Sequence, residues 1–132
     1  MKSQNANSET TSETNTLVEY TDHNTNLIYT ITIGQNAQNN WDIIKQASQN
    51  DIWLHIANLP SCHVIIQSPE KKNLKIPKKV INYAAGECKE HSKFKNVKNL
   101  KCIYTTIKNV KINKLAKIGS VCLGKRPETL KI

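Results

Sequence analysis

The sequence is short of acidic residues in its second half. Of ten Asp and Glu residues, only Asp42, Asp51, Glu70, Glu87 and Glu90 fall between positions 42 and 126, while 16 of the 19 basic residues lie between Lys71 and Arg126. Long apolar runs are missing too: nothing approaches the roughly 18 apolar residues that read as a membrane-spanning helix. The polar N-terminus has no apolar core of a secretory signal. The expectation is an intracellular, cytoplasmic protein that spans no membrane. Cysteine is sparse and scattered at Cys62, Cys88, Cys102 and Cys122, with no CxxC pair. That spacing argues against a disulfide framework or a cysteine-only zinc site. Cys102 and Cys122 sit in apolar strand patterns and read as small buried hydrophobes. There is no Gly-Lys-Ser/Thr phosphate loop, no nucleophile elbow and no internal repeat.

What is present is a formal net charge of +9 concentrated in the C-terminal half. Such a half suits a polyanion: nucleic acid, the ribosome or an anionic membrane surface. The competing reading is a merely solvated lysine surface, in a composition rich in Asn, Ile and Lys such as an AT-rich genome produces.

At 132 residues the chain supports one modest core. Residues 1–16 carry no large apolar side chain before the fold begins and read as a disordered polar tail. Residues 17–132 read as one domain. Thr16–Thr21 and Leu27–Ile33 form a hairpin about the turn-prone Asp22-His-Asn-Thr-Asn26. Gly34-Gln-Asn-Ala-Gln-Asn-Asn40 reads as an amide-rich loop that exposes donors to a phosphate or a sugar edge. Asn40 then caps a helix from Trp41 to Ser48, with Trp41, Ile44 and Ala47 inward. A basic loop carrying Lys71 and Lys72 leads to Pro77 and a long helix to about Lys93. That helix is apolar at Val80, Ile81, Ala84, Ala85 and Cys88, and carries Lys78 and Lys79 outward. Further strands follow at Cys102–Ile107, Val110–Ile112, Val121–Leu123 and Glu128–Ile132. The sum is an α+β fold, a single compact domain with a largely antiparallel sheet of about seven strands and two helices.

The most unusual stretch is Asp51-Ile-Trp-Leu-His-Ile-Ala-Asn-Leu-Pro-Ser-Cys-His-Val-Ile-Ile66, two strands about a turn at Pro60. Ile52, Leu54 and Ile56 alternate with Trp53 and His55. If Ala57 lies opposite His63, then Trp53, His55 and His63 share a face; a one-residue slip would put His63 among the isoleucines. The shared face is favoured, because two histidines in an apolar layer would need buried partners. Either the trio binds something directly, or Trp53 is core and the histidines are hydrogen-bonded scaffolding.

As a binding face, Trp53 would stack on an unpaired base, and His55 and His63 would meet a base edge or a phosphate. Asn36, Asn39 and Asn40 would offer amides, and Lys71, Lys72, Lys78 and Lys79 would track the backbone. Catalysis is not expected. Asp51 lies four residues along the strand from His55, roughly 13 Å away, and cannot orient it. Cys88 and His91 could share a helix face, but two more ligands would have to come from elsewhere, so no metal or cofactor is expected.

The order and spacing of several blocks resemble the NFACT-R domain, the RNA-binding module of ribosome-quality-control tailing factors of the NEMF/RqcH type and of related small coiled-coil proteins. The blocks are Asp51-Ile-Trp-Leu-His55 with His63-Val-Ile-Ile66, Gly34 with Asn36 and Asn39-Asn40, Ala84-Ala85, Tyr104-Thr-Thr-Ile-Lys-Asn-Val110, Gly119 with Val121, and Thr129-Leu-Lys-Ile132. The resemblance implies RNA binding, with tRNA or ribosomal RNA as target and the large ribosomal subunit as a partner. Gln35 stands where the family usually has lysine, and Ser61-Cys62 replaces Gly-Ser. Tail elongation needs an N-terminal domain that this sequence does not carry and is not expected of it. The alternative function is a protein-interaction adaptor, docking a partner protein through its sheet without RNA specificity.

Overall fold

A computed structural model describes residues 15–69 and 75–132. The tail expected over residues 1–16 falls almost wholly outside them, as do Lys71 and Lys72.

Two seven-residue strands open the fold, β1 (Thr16–Asp22) and β2 (Leu27–Ile33), paired antiparallel from Thr16↔Ile33 to Asp22↔Leu27. Their turn is built by Asp22, whose carboxylate accepts from the Asn24 N–H at 3.1 Å and the Thr25 hydroxyl at 3.0 Å, while Asn26 takes a φ of 60°. Short polar side chains tolerate that left-handed backbone, so the amide-rich turn folds where it stands.

Helix α1 (Ala37–Gln46) starts four residues before the expected Trp41. Both Asn36 and Asn40 can cap a helix, and Asn36 does: its side chain accepts from the Asn39 N–H at 2.8 Å. The inward face is Asn39, Asn40, Ile43 and Ile44; Trp41 stands off it and Ala47 is the C-cap beyond the helix, so both are only partly covered. Then follow β3 (Ile52–Ile56), β4 (Val64–Gln67), α2 (Lys78–Glu90), β5 (Lys101–Thr106), β6 (Val110–Ile112), β7 (Val121–Leu123) and β8 (Glu128–Lys131). Pro77 stands at the N-cap of α2, where its missing N–H is not needed.

Six strands make one antiparallel sheet in the order β1-β2-β4-β3-β5-β8, and β6 and β7 form a separate ribbon. The fold is α+β. Strand alternation splits the interior into two layers rather than the single core expected. One face presents Tyr29, Ile31, Leu54, Ile56, Val64 and Ile66 to Val80, Ile81, Ala84, Ala85 and Cys88 of α2. The other presents Trp53 and Ile65 to Ile43 and Ile44 of α1, with Ile107 and Val110. Each fully buried aliphatic side chain contributes about 1.5–3 kcal/mol, so both layers are needed by a chain this short. Cys102 is buried as expected; Cys122 is exposed, because the face it occupies on the two-stranded ribbon is left open.

Candidate nucleic-acid interface

The β3–β4 pairing decides where the unusual side chains go. Its register runs Ile52↔Ile66, Trp53↔Ile65 and Leu54↔Val64. Carried one step further, it sets His55 across from His63, two residues from the expected pairing but with the same parity. Trp53, His55 and His63 therefore do share a face. Their ring centroids lie 5.7 Å apart for Trp53–His55 (interplanar angle 3°), 5.5 Å for Trp53–His63 and 4.9 Å for His55–His63.

The face is not open, however. Trp53 is 1% exposed and His63 4%, because α1 and the 107–123 segment close over them. Trp53 is thus a packed scaffold rather than an exposed stacking platform. Its indole N–H donates to Nδ1 of His63 at 3.1 Å. Indole nitrogen only donates, so Nδ1 must accept, His63 is neutral, and its proton sits on Nε2. Burial, with the neighbouring His55, pushes the His63 pKa down to about 3. Burial also lowers His55, against hydrogen bonding to the backbone at Ile56 and Ser61. The site holds one imidazole locked as a neutral N–H donor beside a second that is partly exposed.

The amide run is largely turned inward. Asn39 and Asn40 are 6% and 8% exposed. Asn39 Oδ1 accepts from the Gln35 N–H at 3.0 Å, and Asn40 Oδ1 from the His63 N–H at 3.1 Å. The Gly34 N–H in turn donates to the His63 carbonyl at 2.9 Å. A Cβ on Gly34 would stand 2.0 Å from Asn40 Oδ1, so only glycine lets Asn40 reach His63. Asn40 is therefore a brace for His63, and Asn39 one for the Gln35 backbone, rather than solvent-facing donors. Gln35 and Asn36 remain exposed.

A cavity of about 820 Å³ opens over this trio. Its floor is Trp53, His55, His63 and Ile103; its walls are the start of α1, the β3–β4 turn, the segment His91–Lys93 and the β6–β7 loop from Lys117 to Ser120. The loop is fastened there by the Trp41 indole N–H, which donates to the Ser120 carbonyl at 2.9 Å. Gly119, at φ 98°, lets the loop pass against Ala37. Among the described residues, Lys93 and Lys117 are the lysines of the lining and no carboxylate lines the cavity.

Nothing in the sequence marks Lys93 and Lys117 as lining residues. Both lay in evenly basic stretches, and only tertiary approach distinguishes them from other lysines. Lys78 and Lys79 are not brought to the cavity. They begin α2, whereas the cavity meets the chain just beyond the end of that helix, 13 residues on and roughly 20 Å away. Lys79 pairs with Asp22 at 2.9 Å, a hydrogen bond that holds the Asp22 carboxyl below its ordinary value, and the Lys78 ammonium lies 5.8 Å over the Tyr104 ring.

Asp51 proves a strand-end brace, buried and accepting from the Ser48 N–H at 2.9 Å. Cys88 is buried, with a thiol pushed up to about 12, its first cause being its hydrogen bond with Cys102. His91 turns to Glu87 at 3.5 Å. Among the described residues no cluster of three or more His, Cys, Asp or Glu could hold a metal ion, and no helix is long and apolar enough to cross a membrane.

The neutral His63 makes a testable pH dependence. Its folded pKa lies below the ordinary 6.5, so between about pH 6.5 and 3 the unfolded chain binds a proton that the folded chain refuses. Stability falls as pH drops through that window. A His63→Gln variant is expected to give a shallower fall in urea melts between pH 6.5 and 4.5; an unchanged slope would mean His63 protonates freely.

Fold and cavity together define a small α+β module whose site is lined by lysines and imidazoles. The chain belongs to the NFACT-R family: the family model described as the NFACT protein RNA binding domain matches residues 17–123. It is 36% identical over 93 residues to the Rqc2 homolog RqcH of Bacillus subtilis, covering 70% of this chain and 15% of that protein. It is 29% identical over 102 residues to coiled-coil domain-containing protein 25 of Danio rerio, covering 76% of this chain and 49% of that one. The mouse protein of that name is 30% identical over 95 residues, covering 70% of this chain and 46% of that protein. The chain thus spans half or less of these relatives. The C-terminal part of the fibronectin/fibrinogen-binding protein from Streptococcus suis shares the fold, with a TM-score of 0.73 at 22% identity over 94% of this chain and 47% of that one.

Proposed function

We propose that this protein binds RNA by seating an unpaired nucleotide in the cavity over His55 and His63. The observation that carries the reading is the cavity lining: the imidazoles of His55, His63 and His91, exposed amides and two lysines, with no carboxylate among the described residues. Single-stranded RNA offers splayed bases, whose edges take hydrogen bonds, and phosphates, which take cations. His63 Nε2–H and the Asn36 amide are the donors for a base edge or a sugar, and His55 lies beside them. Lys93 and Lys117 stand on separate walls and meet successive phosphates. Trp53 and Asn40 serve by holding His63 still, and Asn39 by holding the Gln35 backbone. In this reading Lys78 and Lys79 contribute only long-range attraction.

The target is tRNA or ribosomal RNA, and the setting is translation or ribosome quality control in the cytoplasm, at the large ribosomal subunit. The family described for RNA binding and the likeness to RqcH support that assignment. The role is binding rather than catalysis: among the described residues no acid lines the cavity beside His55 and His63, and the Asp51 carboxylate is engaged elsewhere.

Anisotropy titration of a short unpaired oligoribonucleotide across a potassium chloride series tests the reading. Two phosphate contacts on a single strand contribute about −1.4 to the slope of log K against log salt. Binding with a slope at least that steep is expected. Absence of binding at low salt, or a flat salt response, would contradict it and favour the protein-interaction adaptor.

A further inference from the structure

The β6–β7 loop does more than wall the cavity. Leu115 at its tip is fully exposed, and Ile118 is 51% exposed. A bare leucine is unremarkable singly, but this one is mounted rigidly. The Leu115 N–H donates to Asn113 Oδ1 at 3.1 Å, the Ala116 N–H to the Asn113 carbonyl at 3.3 Å, and the Ser120 N–H to the Lys117 carbonyl at 3.1 Å. The Asn113 N–H closes the loop onto the Ser120 carbonyl at 2.9 Å, the same carbonyl that the Trp41 indole holds.

The tip's surroundings select its partner. Lys114 and Lys117 flank Leu115, and both are exposed. From His91 to Pro127 the chain carries ten basic residues and no Asp or Glu. An apolar protein partner would meet this cationic ring unfavourably, whereas a polyanion with apolar faces between its charges matches it. Nucleic acid is such a partner: apolar side chains wedge between base steps while flanking cations hold phosphates. The tip is continuous with the cavity, since Lys117 to Ser120 line it.

We infer that Leu115 is a wedge that stacks on the last base pair of an RNA helix where it meets the unpaired nucleotide in the cavity, so that the protein reads a junction between paired and unpaired RNA. The inference rests on the RNA-binding reading above. The ligand class is a stem with a single-stranded extension rather than a continuous duplex or a bare strand.

The test uses the full chain and an RNA stem with an unpaired extension, carrying 2-aminopurine in the terminal pair, alongside the unpaired strand alone. Wild type is expected to raise the 2-aminopurine fluorescence on binding, because Leu115 replaces the unpaired neighbour whose stacking quenches the terminal pair. Leu115→Ala is expected to abolish the rise and weaken junction binding by about tenfold, the scale of one buried leucyl side chain. Its affinity for the unpaired strand stays within about twofold, because Leu115 contributes no phosphate contact. Leu115→Phe should retain the rise. Because Leu115 packs on nothing, its substitution leaves the fold intact, which a thermal melt verifies.

Equal losses on both RNAs, or an undiminished rise in Leu115→Ala, would overturn the wedge while leaving RNA binding standing. Failure of wild type to bind either RNA would overturn both. Leu115-dependent binding to phosphatidylcholine–phosphatidylserine vesicles without junction preference would overturn it in favour of a membrane surface.

Discussion

Trp53→Ala is expected to cost about 3–5 kcal/mol of folding stability, a large share of the roughly 5–15 kcal/mol available to a domain. The indole fills the layer between the sheet and Ile43, Ile44, Ile107 and Val110. Its removal leaves a void there and strips His63 of the donor that fixes its tautomer. Trp53→Phe separates these effects. It keeps much of the packing but leaves the buried Nδ1 unpaired, at about 1–3 kcal/mol. Urea denaturation checks both. A tryptophan that only stacked on a bound base would be exposed, and its removal would shift stability by no more than about 0.5 kcal/mol. A result of that size would mean the layer over Trp53 opens in solution.

The second large effect is on affinity. Reversing both cavity lysines, in Lys93→Glu with Lys117→Glu, is expected to weaken binding of unpaired RNA by between about 100-fold and 1000-fold at low salt. Each reversal replaces an attraction of about 1 kcal/mol by a repulsion of similar size in a water-like dielectric. Four such increments approach three decades in the dissociation constant. Both positions are surface lysines without a salt-bridge partner among the described contacts, so stability should change little. Reversal of Lys78 serves as the comparison, with half the charge change of the pair, at the far end of α2. Anisotropy titration reads all three proteins. A Lys78→Glu loss as large as that of the cavity pair would move the interface to the other end of the molecule.

The elements that local pattern determines were legible in the sequence. The β1–β2 hairpin, α2 with its Pro77 start, and the two-faced strand Ile52–Ile56 follow from alternation, helical spacing and turn chemistry, and the structure keeps them. The common face of Trp53, His55 and His63 was legible too, because a two-residue register change preserves parity.

Two things were not legible. Asn36 and Asn40 are equally able to cap a helix, and only the fit of Asn40 beneath Gly34 decides that Asn36 does so. The burial of Trp53 depends on α1 and the 107–123 segment arriving from both sides in sequence, which no strand pattern reveals. For the same reason Lys93 and Lys117, 24 positions apart by number, could not be paired before the cavity was seen. The resemblance to the NFACT-R family drew attention to the right strands, but it marked Asn39, Asn40 and Trp53 without revealing that their work is internal.

The proposed seat for RNA is the cavity face and not the start of α2. Amide chemical-shift mapping of the isotope-labelled chain against a short unpaired RNA tests it most directly. Shifts are expected to concentrate at Asn36, His55, Asn58, Lys93 and Lys117, with Asp22, Lys78 and Lys79 undisturbed. Shifts centred on Asp22 and the start of α2, with the cavity residues unmoved, would contradict it.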